Sequence, residues 1–283
     1  MIETLRQIFQ PSTPESASIP IAFAYVFAGI LGLVLGSFYF ATATRVSYFF
    51  YSDSRRQYRG DNRRRWKEFF ARPSFCMNCE TPISRLHLLP IFGWFLARGQ
   101  CQACGTRISP LHLAAELYPG LLLPGLLYAG YSWPVAFFYT LFCGHLIISI
   151  VTDARHFMLD HENTAFLYLW AGILTYLRWT DETWLPLAAM GGTLAIFLLL
   201  YLISQKSIQG LGFGDIPLAG AVSLFMGFPD CMPVFVLAAS GSIFYTMVIK
   251  RSREAAAPFG ACLGLATMAI LPIRVLYLLY AAP

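Results

Sequence analysis

Eight apolar runs dominate this chain and limit its fold more than any other feature. They lie near residues 19–43, 112–130, 133–152, 164–179, 184–204, 216–229, 232–249 and 258–280. Most approach the roughly 20 residues that an α-helix needs to cross a bilayer. Inside hydrocarbon every backbone N–H and C=O must be paired within the protein, and a helix does this from its own residues. The sequence therefore predicts an all-α polytopic membrane protein with about eight transmembrane helices, several of them short and rich in Gly. The charge content agrees, since only 12% of the 283 residues are Asp, Glu, Lys or Arg, against about a quarter in a soluble domain.

Short loops rich in Lys and Arg stay in the cytoplasm. With eight alternating helices, the loops at 44–111, 153–163, 205–215 and 250–257 hold all of the 20 basic residues except Arg6, Arg178 and Arg274. Those loops are expected on the cytoplasmic side and both termini on the other. The net charge of +5 is then a consequence of topology, and no nucleic-acid partner is needed to explain it. The first run is expected to remain as an uncleaved anchor, because the residues before it lack a basic n-region and 41–47 read ATATRVS, a poor cleavage site. Three parts follow: an N-terminal tail and first helix (1–44), a cytoplasmic basic segment with a cysteine module (45–111), and a transmembrane domain (112–283).

The loop between the first two helices is the longest polar stretch. Its first part includes RRQYRGDNRRRWKEFFAR (55–72), a basic run dotted with aromatics. Such a run is expected to lie as an amphipathic or partly disordered segment on anionic membrane lipids, or to act simply as a positive-inside anchor. Its second part, CMNCETPISRLHLLPIFGWFLARGQCQAC (76–104), holds two CxxC pairs, Cys76/Cys79 and Cys101/Cys104, with 21 residues between them. Each CxxC turn can aim two thiolates at one tetrahedral centre, so the spacing predicts a four-cysteine structural zinc site. An iron–sulfur centre or a redox pair is the alternative. Disulfides are not expected in the reducing cytoplasm. Cys143, Cys231 and Cys262 are scattered in apolar runs and read as small core residues.

Ionisable residues in or beside membrane helices are costly and point to function. Glu116 and His112 open the second run, His145 lies in the third, and DARHFMLDH (153–161) follows it. Asp215 stands in GLGFGDIP (210–217), at the start of the sixth run. Asp153 and Asp215 are expected at the same depth on the same membrane face. Two carboxylates brought together in a low-dielectric pocket can share a proton, activate a water and protonate a leaving amine, which is aspartyl protease chemistry. Gly212 and Gly214 would let backbone approach a substrate there. The plainer reading is two helix caps, Asp being a good N-cap. His145 reads as a hydrogen-bonded helix contact.

These motifs together resemble the type IV prepilin peptidases, bacterial inner-membrane aspartyl proteases with a GxGD motif. GLVLGSF (32–38) is similar to the family's first-helix motif, the CxxC module to its zinc module, Glu116 to a glutamate that follows it, and PFG (258–260) to a motif near the last helix. The resemblance implies that Asp153 and Asp215 cleave the basic leader from prepilins or type II secretion pseudopilins. It also implies N-methylation of the new N-terminal residue with S-adenosylmethionine, and a multi-pass location in the bacterial inner membrane with site and module on the cytoplasmic side. The chain departs from the family pattern in four places. Asp160-His161 replaces Pro-Asp, making Asp160 a rival to Asp153, which is preferred because it continues its helix directly. Pro217 stands where the family carries Lys after GxGD, Phe40 replaces an Asn, and the basic stretch ahead of Cys76 is longer. Pro217 and His161 favour the alternative of a non-catalytic or peptidase-only assembly factor. A transporter would want its acids near the bilayer midplane.

Overall fold

The structure is a computed structural model that describes residues 21–52, 60–178, 184–204, 211–251 and 257–281. The N-terminal tail, part of the basic run (53–59) and Gly210 lie outside the described residues. Among the described residues the backbone is helical, with two isolated bridges, Phe75 with Pro82 and Gln100 with Arg107, as its only β pairing. In chain order the helices are α1 (Ile21–Val46, continued by a π-turn Ser47–Tyr51), α2 (Asn62–Ala71), α3 (Phe92–Leu96), α4 (Leu111–Tyr128) and α5 (Trp133–His156). Then follow α6 (His161–Leu177), α7 (Trp184–Ser204), α8 (Asp215–Met226), α9 (Cys231–Phe244) and α10 (Phe259–Ala281).

Each of the eight apolar runs thus contributes one helix. Five segments are long and apolar enough to cross a membrane: Ala22–Tyr51, Trp133–His156, Trp184–Ser204, Cys231–Ile249 and Phe259–Tyr277. The protein is an all-helical membrane protein. The other three helices fall short for visible reasons. α4 carries His112, Glu116, Pro119 and Pro124, α6 has 17 residues, and α8 has only 12. A 12-residue helix is about 18 Å long, well under the roughly 30 Å of hydrocarbon.

The chain forms two compact units that divide between residues 125 and 126. In the first, α1 and α4 meet backbone to backbone. A Cβ on Gly32 would lie 2.2 Å from the Pro119 oxygen, and one on Gly36 would lie 2.4 Å from the Ala115 oxygen. Gly32 and Gly36 are four residues apart, the small-residue spacing that lets membrane helices approach closely. Pro119 has no N–H to give the Ala115 carbonyl, so that oxygen is free to face α1 at this contact. Phe40 is buried and lies 4.1 Å from the His112 ring, which accounts for an apolar residue at that position. The described part of the basic run is ordered as α2, begun by Asp61, whose side chain accepts the Arg64 N–H at 2.9 Å. Phe69 on α2 joins Tyr48, Phe49 and Phe75 in one aromatic cluster, while Arg63, Arg64 and Lys67 stay exposed.

The second unit surrounds α8. Every residue of α8 except Pro217 is buried, mainly against α6 and α7. Phe225 stacks on Phe142 with ring centroids 3.8 Å apart. The C-terminal carbonyls of so short a helix would lack partners inside a bilayer, at a cost of several kcal/mol each. Two arginines supply them: Arg178 donates to the Phe225 carbonyl at 3.4 Å, and Arg274 donates to that of Met226 at 2.9 Å. Arg274 also pairs with Asp230 at 2.8 Å. Pro217 falls in the first turn of α8, where a missing N–H breaks no helical bond.

Candidate functional site

Asp153 lies in the last turn of α5, which Phe157 ends in the left-handed region at φ 53°. Its side chain turns to a different helix, where Oδ2 accepts the Ala261 N–H at 2.7 Å. Ala261 is the third residue of α10, so the carboxylate rests on the unpaired N–H groups and positive dipole end of that helix. Gly260 makes the approach possible. A Cβ there would stand 3.2 Å from Asp153 Oδ2 and 2.9 Å from Leu159 Cδ1.

Asp215 is the first residue of α8, and its Oδ2 accepts the Gly212 N–H at 3.1 Å. Its own N–H returns to the Gly212 carbonyl, also at 3.1 Å. An N-cap side chain accepts from N–H groups further along its helix. Asp215 instead reaches back into the glycine loop, so the N-cap reading of this residue does not hold. A Cβ on Gly212 would lie 3.1 Å from the same carboxylate oxygen, and one on Gly214 would lie 3.1 Å from Leu159 Cβ. Asp153 and Asp215 are 5% and 8% exposed, and the charge of Asp153 acts on Asp215. Asp160 begins α6, where its backbone carbonyl accepts the Thr164 N–H and hydroxyl at 3.0 and 2.9 Å. Sequence reasoning singled out neither Leu159 nor the Ala261 N–H. PFG was the signal for the second; an ordinary Leu in a loop gave none for the first.

In the first unit, the four cysteine Sγ atoms all lie within 4.8 Å of one another. Cys76 and Cys104 are 3.9 Å apart and Cys79 and Cys101 are 3.8 Å apart. Four thiolates about 2.3 Å from a tetrahedral zinc would have their sulfurs about 3.8 Å apart, so these side chains fit that ion. Two copies of one turn build the cluster. Glu80 N–H returns to the Cys76 carbonyl and Gly105 N–H to that of Cys101, each at 2.9 Å, with φ of 58° and 69°. Thr81 and Thr106 hydroxyls lie 3.3 and 3.2 Å from Cys79 and Cys104 Sγ. The Thr106 hydroxyl and backbone, with the Asn78 amide, hold the Cys104 thiol down at about 6, whereas burial pushes Cys76 up to about 11. A bound cation is what would let all four ionise together.

Glu116 is buried on α4 and accepts the Ile91 N–H at 2.6 Å. Ile91 has φ 62° and ψ −59°, and Phe92 N–H returns to the Pro90 carbonyl at 2.6 Å. That is a positive-φ γ-turn, a strained conformation for a β-branched residue, and the carboxylate clasps it at its centre. His145 is a helix contact: its Nδ1 lies 2.8 Å from Asn163 Oδ1, and Asn163 also donates to Ser149 Oγ at 2.8 Å. Cys143 and Cys231 are buried.

Residues 30–129 match the bacterial peptidase A24 N-terminal domain, and residues 140–247 match the type IV leader peptidase family. A prepilin leader peptidase/N-methyltransferase of Klebsiella pneumoniae is 31% identical over 180 residues, which covers 59% of this chain and 74% of that protein. The chain belongs to the type IV leader peptidase family. A Bacillus subtilis (strain 168) protein of the same description as the Klebsiella one is 29% identical over 231 residues, 81% of each chain. The type 4 prepilin-like proteins leader peptide-processing enzyme of Escherichia coli O78:H11 is 29% identical over 215 residues, 72% of this chain and 77% of its own length. No solved structure matches. The four cysteines and Glu116 fall in the first matched region, and Asp153 and Asp215 in the second.

Proposed function

We propose that this protein is a bacterial inner-membrane aspartic endopeptidase that removes the basic leader from prepilins or type II secretion pseudopilins and then N-methylates the new terminus. The observation that carries the peptidase reading is the burial of Asp153 and Asp215 within electrostatic range of each other, each anchored by a backbone N–H. Anchoring through one oxygen leaves the second oxygen of each carboxylate for chemistry. One Asp, ionised, takes a proton from a water as it attacks the scissile carbonyl. The other, protonated, first hydrogen-bonds the carbonyl oxygen and then, as the tetrahedral intermediate collapses, a proton passes to the leaving amine. Gly212 keeps the floor beside Asp215 free of a side chain, so that an extended peptide can reach the carboxylates, and Gly214 makes room for Leu159.

Both acids are at helix ends that the distribution of Lys and Arg assigns to the cytoplasmic face. That face suits a substrate whose leader is cytoplasmic and whose following helix spans the membrane. Cys76, Cys79, Cys101 and Cys104 would hold zinc, which supplies a structural cross-link with no open coordination position. Glu116 supports the same module through Ile91. S-adenosylmethionine would enter as the methyl donor in the second reaction, and names of the relatives support that activity. The test is to incubate purified protein with a prepilin, with and without S-adenosylmethionine, and weigh the products. The expected result is a leader-sized loss in both, followed by a further 14 Da or so only with the donor. An uncut prepilin would remove the assignment.

A further inference from the structure

We propose that Leu159 is a specificity-determining residue that reads the substrate side chain next to the scissile bond. The inference rests on the peptidase reading above. Leu159 belongs to the short connection between α5 and α6, yet its side chain packs between two glycines from elsewhere in the chain. Its Cβ lies 3.1 Å from where a Gly214 Cβ would stand, and its Cδ1 and Cδ2 lie 2.9 and 3.1 Å from where a Gly260 Cβ would stand. No side chain fits at either glycine unless Leu159 moves.

The same point above Gly260 is 3.2 Å from Asp153 Oδ2. A Leu159 methyl and that carboxylate oxygen therefore flank one small space and lie within about 6 Å of each other. On its other side Leu159 borders the residue immediately before Asp215. A peptide carbonyl in reach of both carboxylates must come within about 3 Å of them. The side chain on one side of that carbonyl then meets the Leu159 methyls, which form an apolar wall beside Asp153 and against Gly214. Leu159 is half-buried rather than enclosed, so a substrate can touch it. An apolar wall of this kind discriminates by volume and has no polar group with which to do otherwise.

The experiment uses the full-length protein in detergent and a series of prepilins that carry Ala, Leu, Phe or Trp at each position flanking the scissile bond. The wild type, Leu159→Ala and Leu159→Phe are compared by kcat/KM. Removing or adding a few carbons in an apolar subsite shifts discrimination by about 10-fold or more. Leu159→Ala is expected to raise the ratio of large over small side chains by about that factor at one flanking position, and Leu159→Phe to lower it. These ratios do not depend on how much of a variant folds. If all substrates fall in parallel, Leu159 only packs the site and the inference is wrong. If all rise in parallel, it is a lid and the inference is equally wrong. A wild type that cuts none of the series sinks the peptidase reading and this inference with it, whereas a cutting wild type with unchanged ratios in both variants sinks this inference alone.

Discussion

The four-cysteine cluster and the two buried carboxylates both gather ionisable side chains, but they are assembled by opposite means. The thiols come from two copies of one local turn, each closed by backbone bonds that span only a few residues, such as Glu80 to Cys76 and Gly105 to Cys101. The carboxylates come from the end of α5 and the start of α8, and α10 supplies the N–H that steadies one of them. Local turns can aim ligands but cannot hold like-charged thiolates together without a cation. Packed helices can hold two acids beside each other because the burial of many apolar side chains offsets their repulsion. The first group should therefore yield to removal of an ion and the second to removal of packing.

The largest expected effect is on chemistry alone. Asp153→Asn and Asp215→Asn each keep an oxygen for the Ala261 or Gly212 N–H but lose the ability to exchange a proton. Cleavage should fall by about 10²–10⁴-fold with little change in the thermal midpoint. Methylation of a pre-cleaved pilin should persist. Mass spectrometry of the products against time reads both, and a variant that retains half the wild-type rate would mean that the residue is only a packing group.

Metal removal comes second because it leaves the chemistry alone and acts on the fold of one module. A structural four-thiolate zinc contributes on the order of 10 kcal/mol to the fold it holds. Chelation, or Cys101→Ser, should expose residues 76–104 to protease while the helices from α5 onward resist it. Wild-type protein should contain one zinc per chain by elemental analysis. Intact resistance of the module after the metal has gone would show that the turns hold themselves and would dissolve the contrast.

Packing comes third. Gly264 on α10 lies four residues after Gly260, and a Cβ there would come within 2.6 Å of Ile150 on α5. Gly264→Leu should destabilise the second unit by about 1–3 kcal/mol through overpacking. Because it pries α10 from α5, it should also weaken the Ala261 bond to Asp153, so that kcat falls more than the folded fraction does. Gly36→Leu, which strikes the α4 backbone, is the matched change in the first unit. Thermal unfolding and kcat measured on the same samples separate the two quantities.

The same contrast explains what could be read from the sequence. CxxC spacing announced the cysteine cluster because its geometry is local, and hydropathy announced eight helices because each run satisfies its own backbone. Asp153 and Asp215 stood out by their places at the ends of runs. The Ala261 partner of Asp153 did not, since the two residues are 108 apart in the chain and meet only through the packing of α10 against α5. Arg178 and Arg274 were visible only as exceptions to the charge distribution. Their task of closing the end of α8 depends on that helix having 12 residues, and the sixth run, which continues past Met226, hides this. Glu116 stood out as an acid at the start of an apolar run, but its bond to a strained turn 25 residues away had no signature in spacing.

The smallest expected effect tests whether the two cysteine turns differ as their φ-positive residues do. Gly105 presents no side chain, whereas Glu80 accepts the Tyr48 hydroxyl at 2.5 Å and pairs with Arg72 at 2.9 Å. Arg72 in turn lies over the Phe75 ring at 3.8 Å, so Glu80 ties its turn to the aromatic cluster at the end of α1. The Glu80 side chain is half exposed, and an ion pair in that setting is worth about 0.2–1 kcal/mol. Glu80→Gln keeps an acceptor for Tyr48 and removes the charge. It should lower the thermal midpoint slightly at low salt and leave it unchanged at high salt, where exposed pairs are screened. Bound zinc should not change, because Glu80 is not one of its ligands. A loss of zinc in this variant would mean that the first turn depends on its side-chain tether rather than on its own backbone, and the two turns would then be equivalent in form only.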